Sequence, residues 1–417
     1  MAVKARSRRP VGSLVARLCV VALASLVPLR GAAQLTEDEA VHRAMSRPEV
    51  RDAIEGDVDV SAGEALRARM WPNPVASYVR EQTWGGSNRS AEDYALLTQS
   101  FEISGRRELR GEAADSRVQA ARARGMSSRL VLEAEVRARF YELVALEARA
   151  AAVREALGRT EKLAAAIALR ERAGDVSGYD RRRLEREHAS FAARLAVEQA
   201  RAGRARERLG GLLGEKTPVR VVGVLLPQEG LASPEALADR VGARPDLLAL
   251  ADEVRAGRLE HQAAGRSWIP ELVLTGGYKG IGLDAGRLNG FVAGVAIPLP
   301  ILDRNQDEAM RGTGRAKAAK ARLDLETDMA GAEVRGLRSE AAELASAARR
   351  FRADAAGTSL ALTVTAEAAY RGGELGILEL VDAHRGALDA ETQAVDLEWA
   401  ARKARIELDL AVGGAAR

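Results

Sequence analysis

The sequence has little of what builds a conventional globular core. Aromatic residues make up only 4% of its 417 residues, whereas aromatic side chains usually dominate core burial. Alanine and arginine recur through long stretches without proline, a composition that favours extended helices. The hydrophobic fraction of 47% still excludes a wholly disordered chain. We therefore expect an ordered, mainly helical protein without one large core.

Excess basic charge is also missing once the N-terminal segment is set aside. Residues 1–33 carry six basic residues and no acid, and without them the formal net charge changes from +4 to −2. A protein that binds nucleic acid would keep a basic surface on its folded part. We therefore predict no nucleic-acid partner.

Residues 1–33 have the pattern of a signal peptide. A basic head at residues 4–9 precedes a charge-free run from Leu18 to Leu29 and the small residues Gly31-Ala32-Ala33. The run is too short for a membrane-spanning helix, which needs ~20 residues. The Ser-Arg-Arg that ends at residue 9 leaves the twin-arginine export route open. The single cysteine, Cys19, lies in this segment, so we expect no disulfide and no thiol chemistry in the exported chain.

Long apolar runs are absent from the rest of the sequence. No stretch approaches the ~18 apolar residues of a membrane-spanning helix. Any membrane crossing by the exported chain must therefore use β-strands, whose alternating faces escape hydropathy scans.

The remaining sequence contains one pattern twice. Met70-Trp71-Pro72-Asn73 matches Trp268-Ile269-Pro270-Glu271 at an offset of 198 residues, and residues 99–106 match 297–304 at the same offset. Farther on, residues 209–214 match 408–413 at an offset of 199. We interpret this as a tandem duplication. The predicted parts are a first repeat at 34–215, a linker at 216–231 and a second repeat at 232–417.

Each repeat reads as a helix, a strand, a loop, a strand, a long helix, a tight turn and a long helix. The pattern predicts strands at about 73–81, 92–103, 271–279 and 290–302, with loops near 84–90 and 281–289. Representative strand residues are Val75, Tyr78, Phe101, Phe291 and Val295. These lengths suit the ~9–11 residues of a tilted membrane strand, although a soluble hairpin on a small sheet remains an alternative.

The helices are unusually long. Residues 106–172 contain no proline, and 304–371 repeat this pattern. A 67-residue helix would reach ~100 Å at ~1.5 Å per residue. The return helices show heptad spacing, and in the second repeat the predicted seam is mostly alanine: Ala383, Ala387, Ala390, Ala394, Leu397, Ala401, Ala404, Leu408 and Ala411. Val395, Trp399 and Ile406 lie off this seam and indicate a second helical neighbour, as in a closed ring.

Taken together, these features resemble the outer-membrane efflux proteins, the TolC-like family, and most closely its heavy-metal, CzcC-like branch. The segments that carry the resemblance are Trp71-Pro72-Asn73-Pro74, residues 99–107, residues 297–305, Arg371-Gly372-Gly373-Glu374-Leu375 and Glu379-Leu380-Val381-Asp382-Ala383. No single segment is specific to the family. The order and spacing of the segments across the exported chain are specific to it.

The resemblance implies a mainly α fold with β-structure. Long antiparallel coiled-coil hairpins would form a trimeric α-barrel, and four transmembrane strands per chain would contribute to a shared 12-stranded β-barrel. A barrel shared between chains is also expected on physical grounds. The smallest single-chain membrane barrel has eight strands, and an open sheet edge in lipid leaves backbone groups unsatisfied. The loops near 84–90 and 281–289 would lie outside the cell, and the turns at 173–178 and 372–376 at the periplasmic tip.

The resemblance also implies a role. A homotrimer in the bacterial outer membrane, in contact with its lipid and extending into the periplasm, would passively conduct substrates. An inner-membrane RND-type pump and a periplasmic adaptor (a membrane fusion protein) would deliver them, and the heavy-metal branch suggests metal cations. Such a channel is not an enzyme. We expect no catalytic residues and no cofactor, and no resident metal, because the four histidines have no metal-ligand spacing. Gly312-Thr313-Gly314 is better explained by close helix packing than by a phosphate loop.

The candidate gate residues are Glu379 and Asp382. Three residues apart on a helix, they can face one side, and the resemblance implies that acids here line the periplasmic entrance. The helix dipole alone would also favour acids near a helix start. Asp180 and Arg183 hold the corresponding positions of the first repeat. Leu375 stands where relatives can carry a basic gating partner.

Two other functions remain alternatives. One is an outer-membrane conduit for type I protein secretion, and the other is a periplasmic adaptor or coiled-coil interaction protein.

Overall fold

The structure, a computed structural model, describes residues 35–85, 88–283 and 286–414. The predicted signal peptide lies outside these residues. Within them, no helix is both long and apolar enough to cross a membrane.

The described residues of the first repeat form four helices and two strands. They are α1 (Glu37–Met45), α2 (Pro48–Arg69), β1 (Val75–Gly85), β2 (Asn88–Phe101), α3 (Arg106–Arg172) and α4 (Gly178–Leu213). The 67-residue α3 has the bounds that the proline-free run predicted. The prediction of a single helix before the strands was wrong, because Pro48 occupies the first turn of a new helix that it can begin but not continue.

The second repeat has the same order with one interruption. It contains α5 (Pro234–Val241), α6 (Pro245–Gly265), β3 (Leu272–Leu283), β4 (Gly286–Ala296), α7 (Gln306–Phe351), a π-helical turn (Arg352–Ala356), α8 (Gly357–Gly372) and α9 (Ile377–Ala411). The long helix expected from 304 to 371 is therefore divided into α7 and α8 by the π-helical turn.

The π-helical turn accounts for the change in repeat offset from 198 to 199. Before the turn, buried residues of α7 match those of α3 at 198: Val136 with Val334, Leu143 with Ala341, and Ala150 with Ala348. Beyond the turn, Ile167 matches Ala366 at 199, and Gly174 matches Gly373, both in the left-handed conformation. A π-turn accommodates one extra residue within a helix. It therefore keeps the buried faces of both repeats in phase.

The four strands form one antiparallel sheet in the order β1-β2-β3-β4. Val75 pairs with Thr98, Phe101 with Leu272, and Tyr278 with Phe291. The predicted loops at 84–90 and 281–289 were too long, because β1 continues to Gly85 and β2 starts at Asn88, and the second hairpin behaves likewise. Residues 86–87 and 284–285 lie outside the described residues. β4 ends at Ala296, six residues before the predicted end of that strand, at a segment that contains Pro298 and Pro300.

Several separate clusters replace one large core. The largest includes Phe140 and Leu143 of α3, Leu209 of α4, and Val395 and Ile406 of α9, with Trp399 packed against it. A second cluster joins Leu237, Leu247 and Val334 to Leu408. Since α9 contributes to both, the predicted second neighbour for Val395, Trp399 and Ile406 is confirmed.

The predicted alanine seam of α9 is only partly correct. Ala394, Ala401, Ala404, Leu408 and Ala411 are buried, but Ala383, Ala387 and Ala390 are half-buried. In that first half of α9 the buried residues include Leu380, His384 and Leu388 instead. Leu380 and Leu388 pack with α3 and α4, and Leu380 also with α8, so the inward face follows these neighbours rather than the alanines.

Glycines bring α6 and α7 close together. A Cβ on Gly312 would lie 2.7 Å from the backbone nitrogen of His261, and one on Gly257 would lie 2.7 Å from the backbone nitrogen of Ala316. Because backbone atoms cannot yield as a flexible side chain can, these positions require glycine. The packing role predicted for Gly312-Thr313-Gly314 is confirmed at Gly312, whereas Gly314 faces open space.

Candidate functional site: the helical tip and the sheet

The ends of the two helical hairpins meet in one apolar cluster, which we call the tip cluster. Its buried members are Ile167, Leu184, Ala366, Tyr370, Ile377, Leu380 and Val381. They come from α3, α4, α8 and α9, so both repeats contribute. Leu375 packs against the same cluster. At the position where a basic gating partner could stand, this chain therefore has a packing residue.

The two candidate gate acids lie on the outer face of the start of α9. Glu379 and Asp382 are exposed, whereas Leu380 and Val381 between them are buried in the tip cluster. Among the described residues, neither acid takes part in an ion pair within 4.0 Å. Asp382 does act at longer range: after the hydrogen bonds with Glu187, its charge helps to raise the pKa of Arg385. The start of α9 thus presents two exposed carboxylates that form no close ion pair among the described residues.

Asp180 and Arg183 do not pair with each other within the described part of the chain. Arg183 donates to the Tyr179 hydroxyl at 3.4 Å, and the Asp180 backbone N–H donates to Ser177, which caps α4. Burial, and next the charge of Asp180, raises the pKa of Tyr370, with Arg170 opposing. Asp180 therefore lies near the tip cluster rather than in a latch with Arg183.

Charged pairs between α4 and α9 were not predicted from the sequence. Arg385 donates to both carboxylate oxygens of Glu187, with Nε at 2.7 Å from Oε1. Farther along, Arg194 donates to Asp389 at 2.9 Å. Two acids, Glu187 and Glu198, are buried on the inner face of α4. The one sign of these pairs in the sequence was Glu198, an acid at a heptad position of α4. A buried carboxylate needs a cationic partner, and the partner of Glu198 is Arg149 at 3.1 Å.

The histidines are placed singly. His384 is 2% exposed, and its Nε2 lies 3.4 Å from Glu367. Burial lowers the pKa of His384, Glu367 opposes this effect and Arg159 adds to it. His188 lies near the Thr160 hydroxyl, and His261 near the Thr313 hydroxyl. Within residues 35–85, 88–283 and 286–414, no group of three or more His, Cys, Asp or Glu is placed to hold a metal ion.

The sheet has two unlike faces. The strand register places Tyr78, Phe101, Phe291 and Val295 on one face, together with Leu97 and Leu274; we call this the apolar face. Phe291 is 86% exposed and Val295 66% exposed. Toward the strand–strand turns the same face becomes charged, with Arg80, Asp93 and Arg287 within reach of one another.

The opposite face, which we call the polar face, carries charged and hydroxyl residues interspersed with aliphatic ones such as Val79, Leu96 and Val292. Lys279 contacts Glu92 at 2.7 Å, and the hydroxyls of Thr98 and Thr275 are 3.1 Å apart. Val75 lies on this face, so the structure separates it from the four other representative strand residues. An amphipathic sheet of this kind can separate an apolar surrounding from a polar one.

The comparisons with known proteins identify this architecture. Residues 238–414 match the outer membrane efflux protein family. The matched residues include the strands β3 and β4, the helices α7, α8 and α9, and the turn at 372–376 that carried part of the resemblance in the sequence.

Three relatives of this chain carry metal-resistance names. The chain is 27% identical over 277 residues to the nickel-cobalt-cadmium resistance protein NccC of Alcaligenes xylosoxydans xylosoxydans, covering 64% of this chain and 61% of the relative. It is 28% identical over 279 residues to the nickel and cobalt resistance protein CnrC of Cupriavidus metallidurans, covering 64% of each chain. The chain is 28% identical over 296 residues to the cobalt-zinc-cadmium resistance protein CzcC of the same organism, and the match covers 70% of this chain and 69% of the relative. The match therefore spans less than two thirds of the length of NccC and CnrC.

Solved structures share the fold over nearly the whole chain. A structure of CusC has a TM-score of 0.76 at 17% identity, covering 92% of this chain and 93% of that one. The outer membrane protein VceC of Vibrio cholerae has a TM-score of 0.75 at 17% identity, covering 91% and 97%. The MtrE outer membrane channel of Neisseria gonorrhoeae gives 0.76 at 19% identity, covering 91% and 89%. The predicted mainly helical fold with a four-stranded sheet is confirmed.

Proposed function

We propose that three copies of this chain form an outer-membrane channel that passively conducts substrates through the periplasm. The observation that carries the proposal is the four-stranded sheet with an exposed apolar face and two outer strands, β1 and β4, each paired on one side among the described residues. Four strands cannot close a barrel in lipid. Three copies would supply twelve strands, with the apolar face toward lipid and the polar face toward the lumen.

The substrates we propose are divalent transition-metal cations. The names of NccC, CnrC and CzcC point to nickel, cobalt, zinc and cadmium. In a trimer, the exposed Glu379 and Asp382 would place six carboxylates at the periplasmic entrance, and a ring of acids favours cations. An inner-membrane RND-type pump and a periplasmic adaptor would deliver the ions and supply the energy.

The alternatives are less well supported. Family and fold match channel proteins, which favours a channel over a periplasmic adaptor. A type I protein-secretion conduit would share the fold, so the names of the relatives are the reason for preferring metal cations.

The test is ion conduction by the purified mature protein in planar lipid bilayers. We expect stepwise currents with a preference for cations, and this preference should fall in the double variant Glu379→Gln with Asp382→Gln. Asp328→Asn, an exposed acid in the middle of α7, is the matched control and should leave selectivity unchanged. Absence of current steps would contradict the channel, whereas steps with unchanged selectivity in the double variant would contradict only the gate residues.

A further inference from the structure

The border between the apolar face and the helices carries a stack of three side chains. The ring of Trp71 meets that of Phe101 edge-on, with centroids 5.8 Å apart. The guanidinium carbon of Arg107 lies 3.8 Å from the centroid of the Trp71 ring. Because Phe101 belongs to the apolar face, the stack marks the height at which this face ends and α3 begins.

Several charged side chains lie beside this stack. Arg107 contacts Glu108 at 2.9 Å. The hydrogen bond from Arg107, and to a smaller degree the charge of Arg266, lowers the pKa of Glu108. Two guanidinium groups thus surround one carboxylate. One turn away, Arg106 and Arg110 both contact Glu102. These six side chains are four arginines and two acids, and the exposed Glu271 directly precedes Leu272, which pairs with Phe101.

The second repeat has neither the tryptophan nor the guanidinium at the matching positions. At the offset of 198 residues Trp71 matches Ile269, and Trp268, which is 69% exposed, matches Met70. The position that matches Arg107 is Asn305. The first repeat therefore has a stacked tryptophan and guanidinium that the matching positions of the second repeat lack.

We propose that Trp71, Arg107 and Arg266 bind the headgroup of an anionic phospholipid in the leaflet at the helical end of the sheet. Trp side chains favour the membrane–water interface, and a guanidinium is shaped to bind phosphate oxygens. The acyl chains would continue onto the apolar face beside Phe101. This inference rests on the proposed function, because it requires the apolar face to be in lipid.

The experiment uses the tryptophans themselves as probes. The chain has four, so single-tryptophan variants that keep Trp71, Trp84 or Trp399 can be made with phenylalanine at the other three positions. Trp84 lies at the opposite end of the apolar face and Trp399 packs against the largest core cluster. Each full-length mature variant is placed in phosphatidylcholine vesicles that contain a small fraction of brominated phosphatidylglycerol or brominated phosphatidylcholine, which quench nearby tryptophans.

We expect Trp71 to be quenched more strongly by the brominated phosphatidylglycerol than by the brominated phosphatidylcholine. A basic residue near a membrane surface contributes about fivefold to anionic-lipid affinity, equivalent to ~1 kcal/mol. Arg107→Gln and Arg266→Gln should each reduce the preference of this site for phosphatidylglycerol by up to about fivefold. Arg304→Gln, an exposed arginine at the same height in the second repeat, is the control and should leave it unchanged.

The outcomes separate this inference from the proposed function. Equal quenching of Trp71 by both lipids, or a preference that survives Arg107→Gln and Arg266→Gln, would overturn headgroup binding. Quenching of Trp84 without quenching of Trp71 would overturn it while leaving the sheet in the membrane. If Trp71 and Trp84 were as unquenched as Trp399, both the inference and the membrane assignment would be wrong.

Discussion

Arg385 and Glu187 form a two-point ion pair that joins the return helices of the two repeats. The Glu187 side chain is 3% exposed, whereas that of Arg385 is 43% exposed. A carboxylate removed from water depends on its partner, because an unpaired buried charge costs far more than an exposed one. The main effect of breaking the pair would therefore be to leave the Glu187 carboxylate buried without a cationic partner.

Arg385→Ala should destabilise the protein by about 1–3 kcal/mol, since it leaves Glu187 buried without its donor. Thermal unfolding of the full mature protein in detergent, followed by circular dichroism, measures this. The control is Lys320→Ala, which breaks an exposed pair with Asp324 and should change stability by less than about 0.5 kcal/mol. An equal effect of the two substitutions would contradict the account of Glu187.

Gly312→Ala and Gly314→Ala should have opposite effects although they are two residues apart on α7. A methyl group at 312 would meet the backbone of His261, so we expect a loss of about 1–3 kcal/mol. A methyl group at 314 meets nothing within 4 Å, and alanine there should stabilise the helix by about 0.5–1 kcal/mol. Unfolding midpoints compare the two directly; a stable Gly312→Ala protein would show that α6 and α7 are not tightly packed.

Deletion of Asp354 should convert the π-helical turn into regular α-helix and leave a folded protein. The extra residue is taken up within Arg352–Ala356, so the buried faces on both sides should stay in phase. Deletion of Arg154, at a comparable height in the regular α3, should rotate the following part of that helix by ~100° and prevent folding. Yields and helical content of the two deletion variants test this difference, and equal tolerance would contradict it.

Acid should destabilise the protein through His384. Burial lowers the pKa of this side chain in the folded state, with Arg159 assisting and Glu367 opposing. The unfolded chain therefore binds the proton more readily, and stability decreases as the pH falls below about 6.5, the ordinary pKa of histidine. His384→Phe should flatten this part of the curve of unfolding free energy against pH. His42→Asn, on the exposed surface of α1, should not; an unchanged curve for His384→Phe would contradict the assignment.

Much of the fold could be predicted because long-range repetition and proline positions are visible in the sequence. The bounds of α3 follow from the absence of proline between residues 106 and 172. The shift in offset from 198 to 199 was also visible, but only the structure assigns it to the π-helical turn. The strand ends were misjudged because Gly85 and Asn88, typical turn residues, belong to strands that continue almost to the turn.

The candidate site was less accessible to sequence reasoning. The three-residue spacing and the family resemblance placed Glu379 and Asp382 on one side of a helix, and the structure shows them exposed at its start. The sequence could not show that Leu375 joins the tip cluster, because this contact depends on how two hairpins distant in sequence pack. Buried pairs such as Glu187 with Arg385 are equally invisible, since each residue alone resembles an exposed charge.

The mass of the purified mature protein in detergent tests the central claim most directly. Light scattering combined with absorbance and refractive index separates protein mass from detergent mass. The account predicts the mass of three copies, because one sheet has two outer strands that need partners in lipid. A stable single copy that keeps its four strands would contradict the shared channel.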